Sequence, residues 1–381
     1  MVTAGPPNYA DIIRFRGRMA NPPAAVGDPL VEVDTPALIV DLDALEENLR
    51  RMAEYAARAG VALRPHAKAH KCAEISLRQM AHGAVGVCSQ KVSEAEALVD
   101  AGVSNVLVSN EIIAPRKIER LAALAQRATI MACVDDASIV PLLNAAAARA
   151  GVMLGILVEV DVGGARCGQM PGRPAAELAR RVAASSHLRF AGLQGYQGRA
   201  QHIRAEADRQ QAVAASVAAL GETMDILRRD GLACDLVTGG GTGTYLFDSA
   251  SRAYNEIQPG SYVLMDADYG RNTPRPEFRN SLFVYTQVMS ATGRGHSVVD
   301  AGLKAMSFDE GMPLVADYPG VSYVRVSDEH GNLDADIPLG TKLRLIPGHC
   351  DPTVNLYDWC VAVRGERVEG LWPIVARGAI L

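Results

Sequence analysis

The sequence of 381 residues lacks any long run of apolar side chains, although 49% of its residues are hydrophobic. No segment approaches the roughly 20 uninterrupted apolar residues that a membrane-spanning helix needs. Residues 1–19 contain no apolar stretch typical of a secretion signal. A long basic run is also missing, and the net charge is −5. These absences argue against a membrane protein, and against nucleic acid or an anionic membrane as a partner.

The cysteines lack the spacing of a zinc or redox motif. Seven of them are scattered without a CxxC pair, and most lie in apolar or strand-like segments. An odd number in such contexts is typical of reduced thiols that serve as small core residues. Together with the missing signal sequence, this predicts a cytoplasmic protein. Cys350 is the exception, because it stands between His349 and Asp351.

Short β-rich runs alternate with amphipathic helical stretches from about residue 37 to residue 266. Strands of this length, separated by helices of about ten residues or more, predict a parallel sheet. Eight candidate strands favour a (β/α)8 barrel over an open doubly wound sheet, and no GxGxxG follows the first strand. The candidates are Val61–Arg64, Ala84–Cys88, Asn105–Ser109, Thr129–Cys133, Leu154–Val160, Leu188–Gln194, Cys234–Thr238 and Ser261–Asp266.

The pattern changes after about residue 279, where β-branched residues become frequent and helix formers become rare. This predicts a second, C-terminal all-β domain. We expect the barrel over residues 30–275, with one additional strand and helix preceding its first barrel strand. The β-domain is expected over residues 276–381, joined by residues 1–29.

The segment Arg64–Lys71, RPHAKAHK, places one arginine, two histidines and two lysines at the end of the first candidate barrel strand. In such barrels the catalytic groups lie at the carboxyl ends of the strands. Like charges and partial burial lower the pKa of an amine, and only the neutral amine attacks a carbonyl. Two interpretations stay open: Lys68 forms a Schiff base, or a basic loop binds an anion.

A glycine-rich run, Thr238–Tyr245 with the sequence TGGGTGTY, follows the seventh candidate strand. Backbone N–H groups approach an anion closely where no Cβ interferes, and barrels commonly bind phosphate after strands seven and eight. A flexible turn is the alternative interpretation. A lysine after strand one and a phosphate cradle after strand seven together favour pyridoxal phosphate, which carries an aldehyde and a phosphate.

Further polar side chains lie at predicted strand ends on the same rim. Arg166 follows the fifth candidate strand, and Tyr196 follows the sixth, with His202 a few residues later. Tyr262 opens the eighth. Packing explains each of these residues alone, and their convergence on one rim is what indicates a site.

His349 and Asp351 lie in the motif PGHCDPTVNLYD. In an extended strand they would face one side while Cys350 faces the other. Imidazole and carboxylate at this spacing can hold a divalent metal, with water or substrate in the remaining positions. A polar turn closed by Pro352 is the alternative for the pair alone.

Nine motifs, from about residue 35 to the end, resemble the D-threonine aldolase and D-serine dehydratase group of fold type III pyridoxal-phosphate enzymes. The resemblance implies an alanine-racemase-like barrel with a β-domain. It also implies a head-to-tail homodimer, in which each active site lies between one subunit's barrel and the partner's β-domain. The motifs are TPALIVDLDALEENL, RPHAKAHK, DVGGARCG, GLQGYQG, TGGGTG, IQPGSYVLMDADY, VVDAGLKA, SDEHG and PGHCDPTVNLYD.

The same resemblance implies roles for individual residues. Lys68 would carry the cofactor as an imine, Arg166 would hold the cofactor ring, and Tyr196 would contact the cofactor or its phosphate. The residues implied for the phosphate are Thr238, Gly240, Gly241 and Tyr262.

The metal motif separates two branches of this group. Dehydratases have His-x-Cys there and aldolases have His-x-Asp, which is the pattern of His349 and Asp351. Imidazole with carboxylate suits Mn²⁺ or Mg²⁺, with Zn²⁺ or Ca²⁺ as alternatives. We therefore expect a lyase that cleaves D-threonine, D-allo-threonine and other D-β-hydroxy-α-amino acids to glycine and an aldehyde. His202 or a metal-bound water is the expected base on the substrate hydroxyl.

Three other functions stay open. A D-serine or D-threo-3-hydroxyaspartate dehydratase would use the same fold and cofactors, and a bulged strand would let Cys350 reach the metal. A racemase would need a second base from the β-domain and no metal. A non-catalytic carrier of pyridoxal phosphate would need neither the β-domain nor the metal pair.

Overall fold

The structure is a computed structural model that describes residues 19–381. A first strand, β1 (Ala37–Asp41), precedes eight parallel strands that form one curled sheet in the order β2-β9-β8-β7-β6-β5-β4-β3 once they are numbered along the chain. These strands are β2 (Ala62–Leu63), β3 (Val87–Ser89), β4 (Asn105–Glu111), β5 (Thr129–Val134), β6 (Leu154–Glu159), β7 (Leu188–Gly195), β8 (Leu236–Gly239) and β9 (Glu256–Ile257).

Helices alternate with these strands, as the sequence pattern predicts. The helix Leu42–Ala59 shows why the boundaries fall where they do: the Asp41 carboxylate accepts the N–H of Ala44 at 2.9 Å at its start, and Gly60 adopts a left-handed φ of 69° at its end. The later helices of the barrel are Ala73–Ala81, Val92–Asp100, Pro115–Leu124, Val140–Ala150, Arg173–Ala183, Glu206–Arg229, Tyr245–Ala250 and Ala267–Gly270.

The two ends of this sheet meet beside β2 and β3. The N–H of Val85 donates to the carbonyl of Leu63 at 2.9 Å, and His66 forms an isolated parallel bridge with Cys88. The predicted (β/α)8 architecture is therefore confirmed.

The predicted position of the eighth strand, Ser261–Asp266, is wrong. The strand is β9, and Ser261–Val263 form a 3-10 helix instead, so Tyr262 lies beyond the strand rather than at its start. Pro259 between them offers no N–H to a sheet. The charged Glu256 interrupts the apolar pattern by which a buried strand is predicted, although its side chain is buried inside the barrel.

The interior of the barrel has an apolar floor and a polar mouth. The floor is formed by Cys88, Leu107, Met131, Cys133, Leu157 and Ala191. Nearer the carboxyl ends of the strands, the buried side chains become polar, because they include Arg64, Glu159, Gln194, Thr238, Glu256 and Gln258. All seven cysteines are free, and five of them are buried, as expected for small core residues.

A second, mainly antiparallel sheet forms the C-terminal part, which confirms the predicted β-domain. Its order is β13-β14-β11-β10-β1-β16-β17, and β15 pairs with both β10 and β12. The strands are β10 (Leu282–Ala291), β11 (Ser297–Val299), β12 (Leu314–Val315), β13 (Tyr323–Val326), β14 (Gly331–Leu333), β15 (Lys342–Ile346), β16 (Trp359–Arg364) and β17 (Arg367–Pro373). A short helix, Cys350–Val354, connects β15 to β16.

Strand β1 lies in this second sheet, antiparallel to β10 and parallel to β16. Strand β1 falls within residues 30–275, where we expect the barrel, but it pairs with strands from residues 276–381, where we expect the β-domain. The indole N–H of Trp359 donates to the carbonyl of Ala20 at 2.8 Å. Of the segment 1–29 that we expect to join the β-domain, residues 1–18 lie outside the described residues, and the domain limits stay a prediction.

Over residues 19–381, none of the helices combines the length and the apolar character that crossing a membrane requires.

Candidate active site

Lys68 lies at the mouth of the barrel, on the short 3-10 helix Ala67–Ala69 that follows β2. Its backbone N–H donates to Nδ1 of His66 at 3.4 Å. Its side chain is 38% exposed, and Nζ lies 3.4 Å from Oδ2 of Asp351. The amine of the barrel thereby meets the carboxylate of the β-domain motif.

Two other basic residues of the segment Arg64–Lys71 are structural. Arg64 Nε lies 2.9 Å from Glu256 Oε1, and Lys71 Nζ lies 3.0 Å from Glu94 Oε1. All four side chains are at least nine-tenths buried. Each positive charge is therefore neutralised by a buried glutamate and is not available to bind an anionic ligand.

The two histidines of the segment supply no charge either. Burial lowers the pKa of His70 to about 4 and holds the pKa of His66 well below its ordinary value. Both rings are neutral near pH 7, because a low dielectric disfavours the charged imidazolium.

The expected lowering of the Lys68 pKa by basic neighbours is wrong. Burial does lower this pKa, but the Asp351 carboxylate outweighs it, and Tyr196 adds to the increase, so the pKa of Lys68 is raised. In this structure the ammonium group is the ionic partner of Asp351.

His349 and Asp351 come together, although not in the extended strand that the sequence suggested. His349 caps the short helix Cys350–Val354, and Asp351 lies in its first turn. His349 Nε2 is 3.9 Å from Asp351 Oδ1. Two ligand atoms at this separation can share one cation, so the pair is suited to a divalent metal.

The Cys350 side chain is fully buried. Burial raises the pKa of its thiol well above the ordinary value, and Sγ lies 3.3 Å from Asp351 Oδ1. A protonated thiol is a poor metal ligand. Asp351 is the better partner for His349.

Asp309 is a further residue of the candidate metal site, and no sequence motif indicates it. Its Oδ2 accepts a hydrogen bond from His349 Nδ1 at 2.8 Å. This contact leaves Nε2 of His349 as the atom that can bind a metal, and carboxylates commonly orient metal-binding histidines in this way. Forty residues separate the two in the chain, so no local motif reveals the pair.

Arg166 and Tyr196 lie together beyond β6 and β7. The Arg166 guanidinium stacks over the Tyr196 ring, 5.5 Å from its centroid, and is 3.9 Å from Glu159 Oε1. Both Arg166 and Tyr196 influence the pKa of Lys68, which shows that they face the same mouth.

His202 ends the 3-10 helix Arg199–His202, and its Nδ1 donates to Asp268 Oδ2 at 2.5 Å. Burial alone would raise the pKa of Asp268, but hydrogen bonds from His202, Arg204 and Arg271 lower it further than burial raises it. An ionised Asp268 therefore fixes the His202 ring, and Nε2 is the ring nitrogen left to exchange a proton.

Tyr269 connects His202 to the rest of the mouth. The two rings are 5.5 Å apart, and the Tyr269 hydroxyl is influenced electrostatically by Tyr196 and Asp351. His202 is therefore near the lysine and metal groups without touching them. Neither Tyr269 nor Asp268 stood out in the sequence as a member of the site.

Gly240 and Gly241 form a close-fitting loop after β8. Gly240 has a left-handed φ of 69°, and a Cβ there would lie 2.4 Å from Asp248 Oδ2. A Cβ on Gly241 would lie 2.5 Å from Gln201 Oε1. A side chain at either position would have to displace Asp248 or Gln201, which favours glycine here, and backbone without a Cβ is what a phosphate cradle uses.

Thr238 and Tyr262 are further inside than the phosphate hypothesis expects. Thr238 Oγ1 donates to Glu256 and accepts from Gln258, both at 2.8 Å. The fully buried Tyr262 hydroxyl accepts from Gln79 at 3.3 Å, while its backbone N–H donates to Thr242 Oγ1 at 3.0 Å. In this structure both side chains are hydrogen-bonded in the protein interior, and it is the backbone N–H of Tyr262 that supports the loop; the role of the two residues toward a phosphate stays a prediction.

Comparison with known proteins assigns both parts of the chain. The family described as "Alanine racemase, N-terminal domain" matches residues 40–268, and the "Putative serine dehydratase domain" matches residues 281–363. The chain is 47% identical to a 3-hydroxy-D-aspartate aldolase of Paracoccus denitrificans, over 93% of this chain and 95% of the relative. It is 46% identical to a D-threonine aldolase of Arthrobacter, over 96% of this chain and 98% of the relative.

The chain belongs to this aldolase family. The crystal structure of D-threonine aldolase from Filomicrobium marinum superposes on this aldolase with a TM-score of 0.93, at 50% identity, covering 95% of this chain and all of that one. The family is one of pyridoxal-phosphate lyases of fold type III. The predicted family resemblance, fold class and enzyme class are thereby confirmed.

The aldolase's own residues fit both groups that the family implies. The partly exposed amine of Lys68 and the bare loop at Gly240 fit an aldehyde and a phosphate, respectively. His349 Nε2 and Asp351 Oδ1 fit a divalent metal, because Asp309 already fixes the imidazole.

Proposed function

We propose that this aldolase cleaves D-threonine, D-allo-threonine and related D-β-hydroxy-α-amino acids to glycine and an aldehyde, with pyridoxal phosphate on Lys68 and a divalent metal on His349 and Asp351. Mn²⁺ or Mg²⁺ is the proposed metal, since imidazole and carboxylate suit harder ions, and Zn²⁺ or Ca²⁺ is the alternative.

One observation carries the proposal. Asp351 faces the Lys68 amine with one oxygen at 3.4 Å and His349 with the other at 3.9 Å. The Asp351 carboxylate thus contacts the Lys68 amine, which can react with a carbonyl, and also forms a ligand pair with His349, which can hold a metal that binds a hydroxyl. A substrate with an α-amino group next to a β-hydroxyl is the class of molecule that needs both at this separation.

His202 is the proposed base on the substrate hydroxyl. Its Nδ1 is committed to Asp268 at 2.5 Å, so its Nε2 accepts a proton and the adjacent carboxylate stabilises the resulting imidazolium. Removing that proton drives cleavage of the bond between Cα and Cβ. Asp268 acts through His202 and is a positioning residue.

The remaining residues bind and orient. Arg166, held over the Tyr196 ring, presents a guanidinium at the mouth, and the loop at Gly240 and Gly241 presents backbone. Bound pyridoxal phosphate supplies an electron sink for the pair released from the broken bond. A bound divalent metal supplies a Lewis acid that lowers the pKa of the hydroxyl.

The product decides between this function and a second candidate. A dehydratase is favoured by one observation, the Cys350 thiol 3.3 Å from Asp351. Incubation with D-threonine and pyridoxal phosphate should release glycine. Accumulation of 2-oxobutyrate instead would identify a dehydratase and overturn the proposal.

Chelation tests the metal. Treatment with a chelator should abolish glycine release while the cofactor absorbance persists, and Mn²⁺ or Mg²⁺ should restore activity. An enzyme that remains fully active after chelation would lack the metal role given to His349 and Asp351, and would favour a racemase-like or metal-free site.

We propose in addition that the aldolase forms a homodimer with active sites at the subunit interface. Sedimentation velocity at micromolar concentration should show a single dimeric species, whereas a monomer of full activity would contradict this arrangement. A cytoplasmic location stays a prediction.

A further inference from the structure

A second group of potential metal ligands lies at the barrel mouth, apart from His349 and Asp351. Glu111 ends β4, Asp135 follows β5, and Cys167 lies in the loop after β6. One carboxylate oxygen from each acid and the cysteine sulfur all lie within 4.8 Å of one another. The carboxyl ends of three neighbouring strands thus bring three potential ligand atoms close together.

A buried carboxylate without a partner borders this group. The Glu159 side chain is 4% exposed, and its Oε2 has no hydrogen-bond partner among the described residues. Glu111 and Asp135 both act on it electrostatically, and Glu111 lies within hydrogen-bond reach of it. Glu111 Oε1 is likewise buried without a partner. Unpartnered buried carboxylate oxygens are costly unless something neutralises them.

The described residues compensate little of this charge. Among the described residues, the carboxylates of Glu111, Asp135 and Glu159 form one ion pair, between Glu159 and the Arg166 guanidinium at 3.9 Å. Asp135 Oδ2 accepts the backbone N–H of Gly168 at 3.0 Å, which orients it without supplying a full charge. The group therefore needs either a cation or a shared proton.

We propose that Glu111, Asp135 and Cys167, bordered by Glu159, bind a second divalent cation. A thiolate combined with carboxylates selects a borderline ion such as Zn²⁺ rather than Mg²⁺ or Ca²⁺. Burial, followed by the neighbouring Glu111, raises the pKa of the Cys167 thiol to about 11 while no cation is bound. Binding would therefore have to displace the thiol proton to solvent, so affinity rises with pH. The cation would become the counter-charge of Glu159 and leave the Arg166 guanidinium free to face the mouth.

Metal content of the holoenzyme tests the proposal. After saturation with Zn²⁺ and dialysis, elemental analysis should give about two ions per chain, and about one in Cys167→Ser, Glu111→Gln and His349→Ala. The double variant Cys167→Ser/His349→Ala should hold none. Cys234→Ser is the matched control, because Cys234 is also half-buried beside a carboxylate, and it should keep both ions.

One Zn²⁺ per chain in the unaltered enzyme, lost in His349→Ala and kept in Cys167→Ser, would overturn the proposal, and so would a second ion that survives either Cys167→Ser or Glu111→Gln. In the first case Glu111 and Glu159 share a proton instead. Should those variants fail to fold, Co²⁺ in His349→Ala gives an independent result. A thiolate-to-Co²⁺ charge-transfer band is expected, and its absence contradicts a Cys167 ligand.

The outcome is separable from that of the proposed function. Glycine release from D-threonine reports the Lys68 site, whereas the ion count reports the Glu111 group. An enzyme without aldolase activity can still hold two ions, and an active aldolase can hold one.

Discussion

Arg64 and Lys68 lie on the same basic segment, yet the structure uses them in opposite ways. The Arg64 side chain is 5% exposed and 2.9 Å from Glu256, which is 3% exposed. The Lys68 side chain is 38% exposed and 3.4 Å from Asp351. One positive charge is enclosed with its counter-ion in the barrel interior, and the other stands at the mouth.

The difference shows how burial separates a structural charge from a reactive one. A buried ion pair that loses one partner leaves an uncompensated charge, at a cost of about 3–5 kcal/mol. A partly exposed pair contributes about 1 kcal/mol or less. Lys68 can therefore exchange its contact with Asp351 for a bond to a cofactor at small cost, whereas Arg64 is held in place.

Lys68→Ala should have the largest effect. Activity should fall on the order of 10⁴-fold or more, because no other amine replaces the Schiff base, and the imine absorbance near ~420 nm should vanish. The free energy of unfolding should change by only about 0.5 kcal/mol. Activity is measured by glycine release, the imine by its absorbance and stability by urea denaturation. Lys304→Ala, at an exposed lysine, is the control. A yellow, active variant would show that Lys68 is not the reactive residue.

Arg64→Met should mainly lower stability, in contrast to Lys68→Ala, which should mainly lower activity. Leaving Glu256 buried and unpaired should lower the free energy of unfolding by about 3–5 kcal/mol, as measured by urea denaturation. Arg58→Met is the matched control, since Arg58 is 69% exposed and lies 3.9 Å from Glu54. Equal stabilities for both variants would mean that burial does not distinguish the two kinds of basic residue.

Asp309→Asn should weaken metal binding about 10–100-fold, because the His349 ring loses the carboxylate that orients it. Titration of activity with Mn²⁺ should show a higher requirement and recovery at saturation, while stability stays constant. Asp328→Asn, at an exposed aspartate of the same domain, provides the control. Unchanged Mn²⁺ dependence would remove Asp309 from the metal site.

Asp248→Asn should have the smallest effect, which we expect only in the pH dependence of the melting temperature. Asp248 is buried and, among the described residues, forms no ion pair, so burial raises its pKa to about 7. A raised folded-state pKa stabilises the protein below about pH 4, and this contribution is lost as pH rises through about 7. The fall in Tm between pH 4 and pH 8 should be a few degrees smaller in the variant. Parallel pH profiles would contradict this burial effect.

Much of the fold follows from local patterns. The alternation of β-rich runs with amphipathic helices predicted the barrel, and the loss of helix formers after residue 279 predicted the second sheet. The eighth strand was misplaced because Glu256 breaks its apolar pattern and is accepted only because Arg64 neutralises it. The pairing of β1 with β10 joins residues more than 200 positions apart, which no local signal reports.

The site shows the same limit. Lys68, His349 and Asp351 stood out because they lie in compact motifs. Asp309 and Asp268 did not, since each acts on a histidine that is distant in the chain. The expected direction of the Lys68 pKa is wrong because the decisive charge is Asp351, which is distant in the chain, and not the basic residues next to Lys68 in the sequence.

By itself, the sequence determined the fold class and the segments that carry the chemistry, because strand and helix periods and short motifs are properties of neighbouring residues. Only the tertiary structure decided which basic residues are paired, which histidine nitrogen stays free, and which carboxylates remain without a partner. The reason is that electrostatic energies depend on distance and burial in three dimensions, and residues distant in the chain set both.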